Sequence, residues 1–417
     1  MRILRTLLPT VLLLACYQSK NFEPVRVERP AAAAASPQEP SIEIVATPAG
    51  KGSGEPFIFA LEDGLGLSWL EPVEGTDRFA LRFARYANEE WSHPRTIVER
   101  DDLFVNWADF PSIQADARGD LFAHWLQKSG KGTYSYDVRM AISKDGGATW
   151  GESFLLNRDG KQAEHGFVSL AALPEGGIAA TWLDGRNMTG GDHGHGGGDM
   201  TLRYANVDSS GSITSDEELD DRACECCATG MAMTSSGPVI VYRDRSPEEV
   251  RDISYVRRDG ATWSEPAAVH RDGWKINGCP VNGPQIDAIG ADVATAWFTA
   301  AGEEQRVYAS FSTDAGATFG EAIRIDDGKP VGRVDLVMIG PRTALVTWLE
   351  HTPGGAEIRL RRVTSDAPPD PSVKIADSDA ARAAGFTRIG LSSGELWLAW
   401  TEQNAGSKGV RVARVRM

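Results

Sequence analysis

The chain has 417 residues, with 43 Lys and Arg against 58 Asp and Glu, a formal net charge of −15, and 41% hydrophobic residues. That apolar fraction forms a core, which excludes a disordered chain or a collagen, and the 24% of charged residues excludes a polytopic membrane protein. The acidic balance leaves no basic face for phosphate, so nucleic acid is not an expected partner.

Residues Met1 to Ala15 read MRILRTLLPTVLLLA, with Arg2 and Arg5 ahead of a short apolar run from Leu7 to Leu14. The run is too short to span a bilayer and has the layout of a secretory signal over residues 1–15. It ends in Leu13-Leu14-Ala15-Cys16, which resembles the lipobox of bacterial lipoproteins. The resemblance implies that Cys16 is the first mature residue and carries lipid. Tyr17 stands next, where an Asp is absent, and this implies a bacterial cell envelope address at the outer membrane. Residues 16–41, with Pro24, Pro30, Ala31 to Ala35, Pro37 and Pro40, read as an extended tether that buries little.

Residues 42–417 repeat one unit. Strand-like runs ending in an aromatic recur at Trp69, Trp125, Trp182, Tyr242, Trp297, Trp348 and Trp400, spaced 51 to 60 residues apart. Each run has a short β pattern before it and one or two after it, with Gly, Asp and Pro between. Four strands per unit of about 50 residues is the signature of a β-propeller blade. The chain is therefore expected to be all-β, a propeller of seven four-stranded blades. The last unit has only three strands, ending at Val410 to Val415, and IEIVA at Ile42 to Ala46 supplies the fourth and closes the ring. The aromatic series is expected to pack between neighbouring blades.

Two units carry a sharper motif after the third strand: Ser143-Lys144-Asp145-Gly146-Gly147-Ala148-Thr149-Trp150 and Ser312-Thr313-Asp314-Ala315-Gly316-Ala317-Thr318-Phe319. Both are similar to the Asp box of the sialidase (neuraminidase) superfamily, also known as the BNR repeat. The resemblance implies a propeller, six-bladed in sialidases, and gives Asp145, Gly147, Trp150, Asp314, Gly316 and Phe319 a structural role. In each turn the carboxylate accepts backbone N–H groups and Gly supplies φ > 0. Because strands alternate in direction, turns after third strands lie on the face away from the loops that enter first strands and leave second strands. The second face is where chemistry is expected.

On that face the residues two after the blade aromatics are Glu71, Gln127, Asp184, Asp244, Thr299, Glu350 and Glu402. They read either as a rim that caps backbone groups or as a functional cluster. The resemblance implies an exo-glycosidase site: three Arg clamp a substrate carboxylate, a Tyr paired with a Glu is the nucleophile, and an Asp is the acid/base. The candidates here are Arg186, Arg243, Arg245, Arg333 and Arg388 for the clamp, and Tyr242, Asp184 and Asp244 for catalysis. Thr387-Arg388-Ile389-Gly390 echoes the superfamily's arginine motif, but in the last unit rather than the first. The glycine-rich loop after Arg186 holds His193 and His195 beside Asp192 and Asp199, a set with metal-ligand character.

Four cysteines remain. Cys224, Cys226 and Cys227 sit in the loop entering unit 4, and Cys279 in the loop entering unit 5. The propeller is expected to bring both loops to the same mouth. Outside the cytoplasm, four Cys read as two disulfides, as a thiolate site for copper or zinc, or as a reactive thiol. Three functions stay open: a sialidase-like exo-glycosidase, a non-catalytic propeller binding glycan or protein, and a metal-binding lipoprotein. The expected partners are the membrane, through the lipid, and a glycan or other anionic ligand in the central funnel. No cofactor is required unless the cysteines hold copper or zinc.

Overall fold

A computed structural model describes residues 40–189, 197–404 and 407–416. Residues 1–15, Cys16 and all but the end of the tether lie outside them, as do Asp192, His193 and His195. The described chain forms seven antiparallel sheets in chain order: 54–100, 112–155, 165–223, 230–268, 285–324, 330–378 and 388–416. These are seven blades, one more than the sialidase resemblance implies. Among the described residues, the only helical turns are Ala301–Glu303 and Arg382–Ala384.

Blade 7 has three strands of its own, and Ser41–Val45 pairs antiparallel with Ser407–Arg416 as its fourth. This is the closure expected from the sequence. Arg414 secures it, pairing with Glu43 at 2.8 Å and Glu89 at 2.7 Å while its guanidinium lies over Trp397.

All seven aromatics of the series are buried. Each packs into the seam with the preceding blade. Trp69 meets Trp397 and Val412 of blade 7, Trp182 meets Phe122 and Val138 of blade 2, and Trp297 meets Val239 and Val241 of blade 4. Polar satisfaction explains the acidic residues that follow. The indole N–H groups of Trp69, Trp182 and Trp348 donate to Glu71, Asp184 and Glu350 at 2.7, 2.8 and 2.7 Å. Glu71 also accepts the Gly50 N–H, and Glu350 those of Asp327 and Lys329. Glu71, Asp184 and Glu350 therefore cap indoles and backbone, the first of the two readings above, whereas Glu402 pairs with Arg411 and the Trp400 indole N–H has no acceptor among the described residues.

In the two Asp boxes, Asp145 and Asp314 each accept the backbone N–H and hydroxyl of the Thr four residues on, at 2.9 and 2.6 Å. The Thr149 hydroxyl foremost holds the Asp145 carboxyl down to about 2. A Cβ at Gly147 would strike the Phe83 ring of blade 1, and one at Gly316 would strike Val239 of blade 4, so these turns pack on the preceding blade.

A third recurrent device sits at the opposite end. The first strands of blades 1, 3 and 6 bulge after Gly54, Gly166 and Gly332. The next residues, Glu55, Phe167 and Arg333, have φ of 51°, 53° and 55°. Each N–H at the bulge donates to a side chain of the preceding blade or its loop: Thr401 at 3.1 Å, Asp109 at 2.8 Å and Asn282 at 2.7 Å. The glycine makes room for this latch, since a Cβ at Gly332 would lie 2.4 Å from Asn282 Oδ1. Bulges of this kind kink a strand and re-aim its side chains.

Gly332→Ala would break the latch and force a methyl group onto a backbone with φ of 93°. A loss of about 2–4 kcal/mol is expected in denaturant unfolding. Gly409→Ala, whose Cβ would meet nothing, is the control and is expected to change little.

Candidate functional site

The seven first strands surround an axial channel of about 320 Å³. The rings of Phe57, Phe110 and Phe167 line it, together with Asp109, Asp287, Asp335 and Arg388. Asp287 accepts the Met338 N–H at 2.8 Å and Asp335 the Ile389 N–H at 3.0 Å, each from the next blade. Burial pushes the Asp287 carboxyl up to about 6 and also raises Asp335, which pairs with Arg388 at 3.2 Å.

The five candidate arginines do not form one clamp. Arg186 is taken up by Asp184, at 2.8 and 2.7 Å. Arg243 is fully buried, donates to the carbonyls of Arg251, Asn282 and Phe298, and lies over Trp274. Arg245 is paired with Glu225 and Glu249. Arg333 donates to the carbonyls of Ala380, Ala381 and Gly385 and lies over Trp107, and burial lowers it to about 10. Arg388 alone of the five lines the channel, over the Phe57 and Phe110 rings, with its Nε 3.2 Å from Asp335 Oδ2. Arg243 and Arg333 are spent on loop carbonyls, several of which one planar donor fork satisfies at once, and Arg186 and Arg245 on carboxylates.

The catalytic candidates are also differently employed. Tyr242 lies in the seam between blades 3 and 4 and donates its hydroxyl to Asp220, and burial foremost raises it well above its usual range. It cannot act as the funnel nucleophile, because its oxygen faces the neighbouring blade's outer strand. Burial tends to raise Asp184, but bonds from Arg186, the charge of His165 and the Trp182 indole outweigh it and hold the carboxyl low. Asp244 accepts the Ser254 hydroxyl at 2.9 Å and is raised by burial. Asp159, His165 and Asp184 cluster closely enough for a metal, but the Arg186 guanidinium sits 3.8 Å from Asp159 and 2.7 Å from Asp184, a charge that repels a cation.

A different trio gathers where blades 2 and 3 meet the channel. The Tyr136 hydroxyl lies 2.8 Å from Asp109 Oδ2 and 3.0 Å from Glu164 Oε1, all three residues being buried. The phenol ring stacks on Phe104 at 4.1 Å. A hydroxyl has one proton to donate, so bridging two carboxyls requires a second proton on one of them. Burial agrees: it pushes Asp109 up to about 7 and Glu164 well above the carboxylate range. No sequence motif marks this trio, because its members lie 27 and 28 residues apart in two loops and a strand end.

The four thiols do converge at the mouth. Cys224 Sγ lies 3.8 Å from Cys226 Sγ and 3.6 Å from Cys227 Sγ, and Cys279 of the next loop stands near Cys226. These separations are non-bonded, against about 2.05 Å for a disulfide. The two expected disulfides are therefore not formed. Cys226 and Cys227 cannot pair readily, because adjacent Cα atoms stand only about 3.8 Å apart. The Cys224 thiol is pushed up by burial, but bonds from its two neighbours and the charges of Arg251 and Arg243 bring it well below its usual range.

No protein-family model matches the chain, and no curated protein matches it. Solved structures match the fold. The polysaccharide lyase Uly1 aligns at 10% identity over 86% of this chain and 89% of its own, with a TM-score of 0.53. An ancestral GH74 enzyme aligns at 12% identity over 88% of this chain and 48% of its own, with a TM-score of 0.52. Sialidases are among the matches, such as that of Trypanosoma rangeli at 14% identity over 78% of this chain and 56% of its own, with a TM-score of 0.46. The likeness is one of fold.

Since Asp109 binds a proton more tightly folded than unfolded, its contribution to stability is lost as pH rises from about 4 through about 7. Asp287 and Asp220, both raised to about 6, act in the same direction. The unfolding midpoint of Asp109→Asn is expected to fall less between pH 5 and pH 8 than that of the parent. An identical slope in both proteins would remove the proton from Asp109.

Proposed function

We propose that this chain is a carbohydrate-active propeller that takes an acidic saccharide at the mouth of its axial channel and hydrolyses a glycosidic bond there. The observation that carries this reading is the buried Asp109–Tyr136–Glu164 chain, which keeps a carboxylic acid proton near neutral pH beside the channel. A carboxyl poised in this way is a general acid for a leaving glycosidic oxygen. Arg388 is the one candidate arginine in the same wall, and its guanidinium suits a saccharide carboxylate or sulfate. The Phe57, Phe110 and Phe167 rings offer apolar faces to the sugar. Sharing a fold with a polysaccharide lyase and a GH74 enzyme supports the substrate class.

In this reading the superfamily's carboxylate clamp is reduced to one arginine. The acid group comes from the seam of blades 2 and 3 rather than from Tyr242, Asp184 or Asp244. We also place the protein in a bacterial cell envelope, held at the outer membrane by lipid on Cys16.

Incubation with uronate-, sialate- and sulfate-bearing glycans is expected to release new reducing ends from at least one. Asp109→Asn would lower kcat by about 10²-fold or more, and Arg388→Gln would act chiefly on KM. Absence of both turnover and binding across acidic and neutral glycans would end this reading. Expressed in a bacterium, the protein is expected in the membrane fraction and to take up labelled fatty acid. Cys16→Ser would lose the label and become soluble.

A further inference from the structure

The cysteine cluster has no part in the reading above, and its geometry asks for an occupant. Cys224, Cys226 and Cys227 come from one loop, are all buried, and have their three sulfurs within 4.8 Å of one another. The Cys224–Cys227 and Cys224–Cys226 separations, 3.6 and 3.8 Å, match the spacing of sulfurs around a single ion: a tetrahedral centre with metal–sulfur bonds of about 2.3 Å sets its ligands about 3.8 Å apart. Cys279, exposed on the adjoining loop, lies beside this trio but outside the 4.8 Å group, and a fourth ligand would come from it.

The surroundings hold this arrangement. The Cys224 N–H donates to the Arg243 carbonyl at 2.9 Å, while the Arg243 guanidinium grips the Asn282 carbonyl in the loop that bears Cys279. One buried side chain therefore ties both thiol-bearing loops. Arg251 Nη1 lies 3.2 Å from Cys224 Sγ and 2.8 Å from Glu225, and Glu225 also receives Arg245. Glu225 is turned to the arginines, which hold both of its oxygens. The two guanidiniums offset negative charge that ligating thiolates would concentrate there, the outer-sphere role that orients and tunes a metal ligand.

We propose that Cys224, Cys226, Cys227 and Cys279 form a thiolate site for one thiophilic d¹⁰ cation, Cu(I) or Zn(II), at the mouth on the loops entering blades 4 and 5. Binding releases a proton from each thiol that ligates and changes no oxidation state. The two ions differ in what they need from Cys279. Three thiolates satisfy Cu(I), whereas a closed zinc site requires the fourth. The three buried sulfurs are the seat, and the exposed fourth is the side from which the ion enters.

The test uses the full chain, purified without a polyhistidine tag, reduced and kept anaerobic. Cu(I) and Zn(II) are each titrated in competition with a chromophoric chelator. One equivalent of either ion is expected, with X-ray absorption showing a sulfur shell at about 2.3 Å. Cys224→Ser/Cys227→Ser is expected to abolish binding, and Arg251→Gln to weaken it about tenfold or more. Cys279→Ser identifies the ion: retained Cu(I) binding with zinc lost assigns copper, and loss of one-equivalent zinc without copper uptake by the parent assigns zinc. Circular dichroism accompanies each variant, and the absorption measurement on the parent needs none. The proposal is overturned if neither ion binds, if a bound ion has an oxygen and nitrogen shell, or if protein isolated without reductant is four hydrogens lighter with no free thiol.

Discussion

Ring closure is the constraint on which every other feature depends. Seven blades each expose a hydrophobic face, and no blade can bury both faces alone. Ser41–Val45 completes blade 7 by pairing with the last strand, so no open sheet edge is left in the final blade. Arg414, bound to Glu43, Glu89 and Glu395 and lying over Trp397, joins the two ends of the chain where a strand could otherwise fray. With the ring shut, loops separated by more than fifty residues share one mouth.

Within the ring, carboxylates do two kinds of work. Glu71, Asp184 and Glu350 neutralise the polar tip of a buried indole, which lets a Trp fill the seam without an orphaned N–H. Asp109, Asp287 and Asp335 lie nearer the axis and fasten one blade to the next through a backbone N–H. These inner groups sit in low dielectric with few cations, so burial holds them toward the neutral form. Asp109 differs from the other two in sharing a phenol with a second buried carboxyl. That sharing turns a latch into a proton store. A strained bulge at Phe167, held open by the same Asp109, puts an aromatic ring beside it on the channel wall.

The mouth brings together two chemistries. Buried oxygen donors gather between blades 2 and 3, and sulfur donors gather beside guanidiniums on the loops entering blades 4 and 5. Arg243 belongs to the second region as a tie between loops. An arginine on a central strand was a reasonable candidate for a ligand clamp, yet its donors close on carbonyls from three separate segments. Those segments are remote in sequence, so nothing in the local pattern announces that the guanidinium is spoken for. The same holds for Arg333, whose partners come from a loop about fifty residues further on.

The repeat, the blade number, the closing strand, the faces on which the Asp boxes and the cysteine loops lie, and the seam role of the aromatics are all legible in the amino-acid order. These are consequences of periodicity and strand alternation, which act over a few residues and repeat. Tertiary structure alone decided which polar side chains are spent and which are left to act. Tyr242 went to Asp220, all five arginines found internal partners, with Arg388 still facing the channel beside Asp335, and Asp109, Tyr136 and Glu164 met across two blades. Polar pairing at the mouth depends on which loops face each other after closure and on how little water reaches them, and neither is encoded in any local stretch of chain.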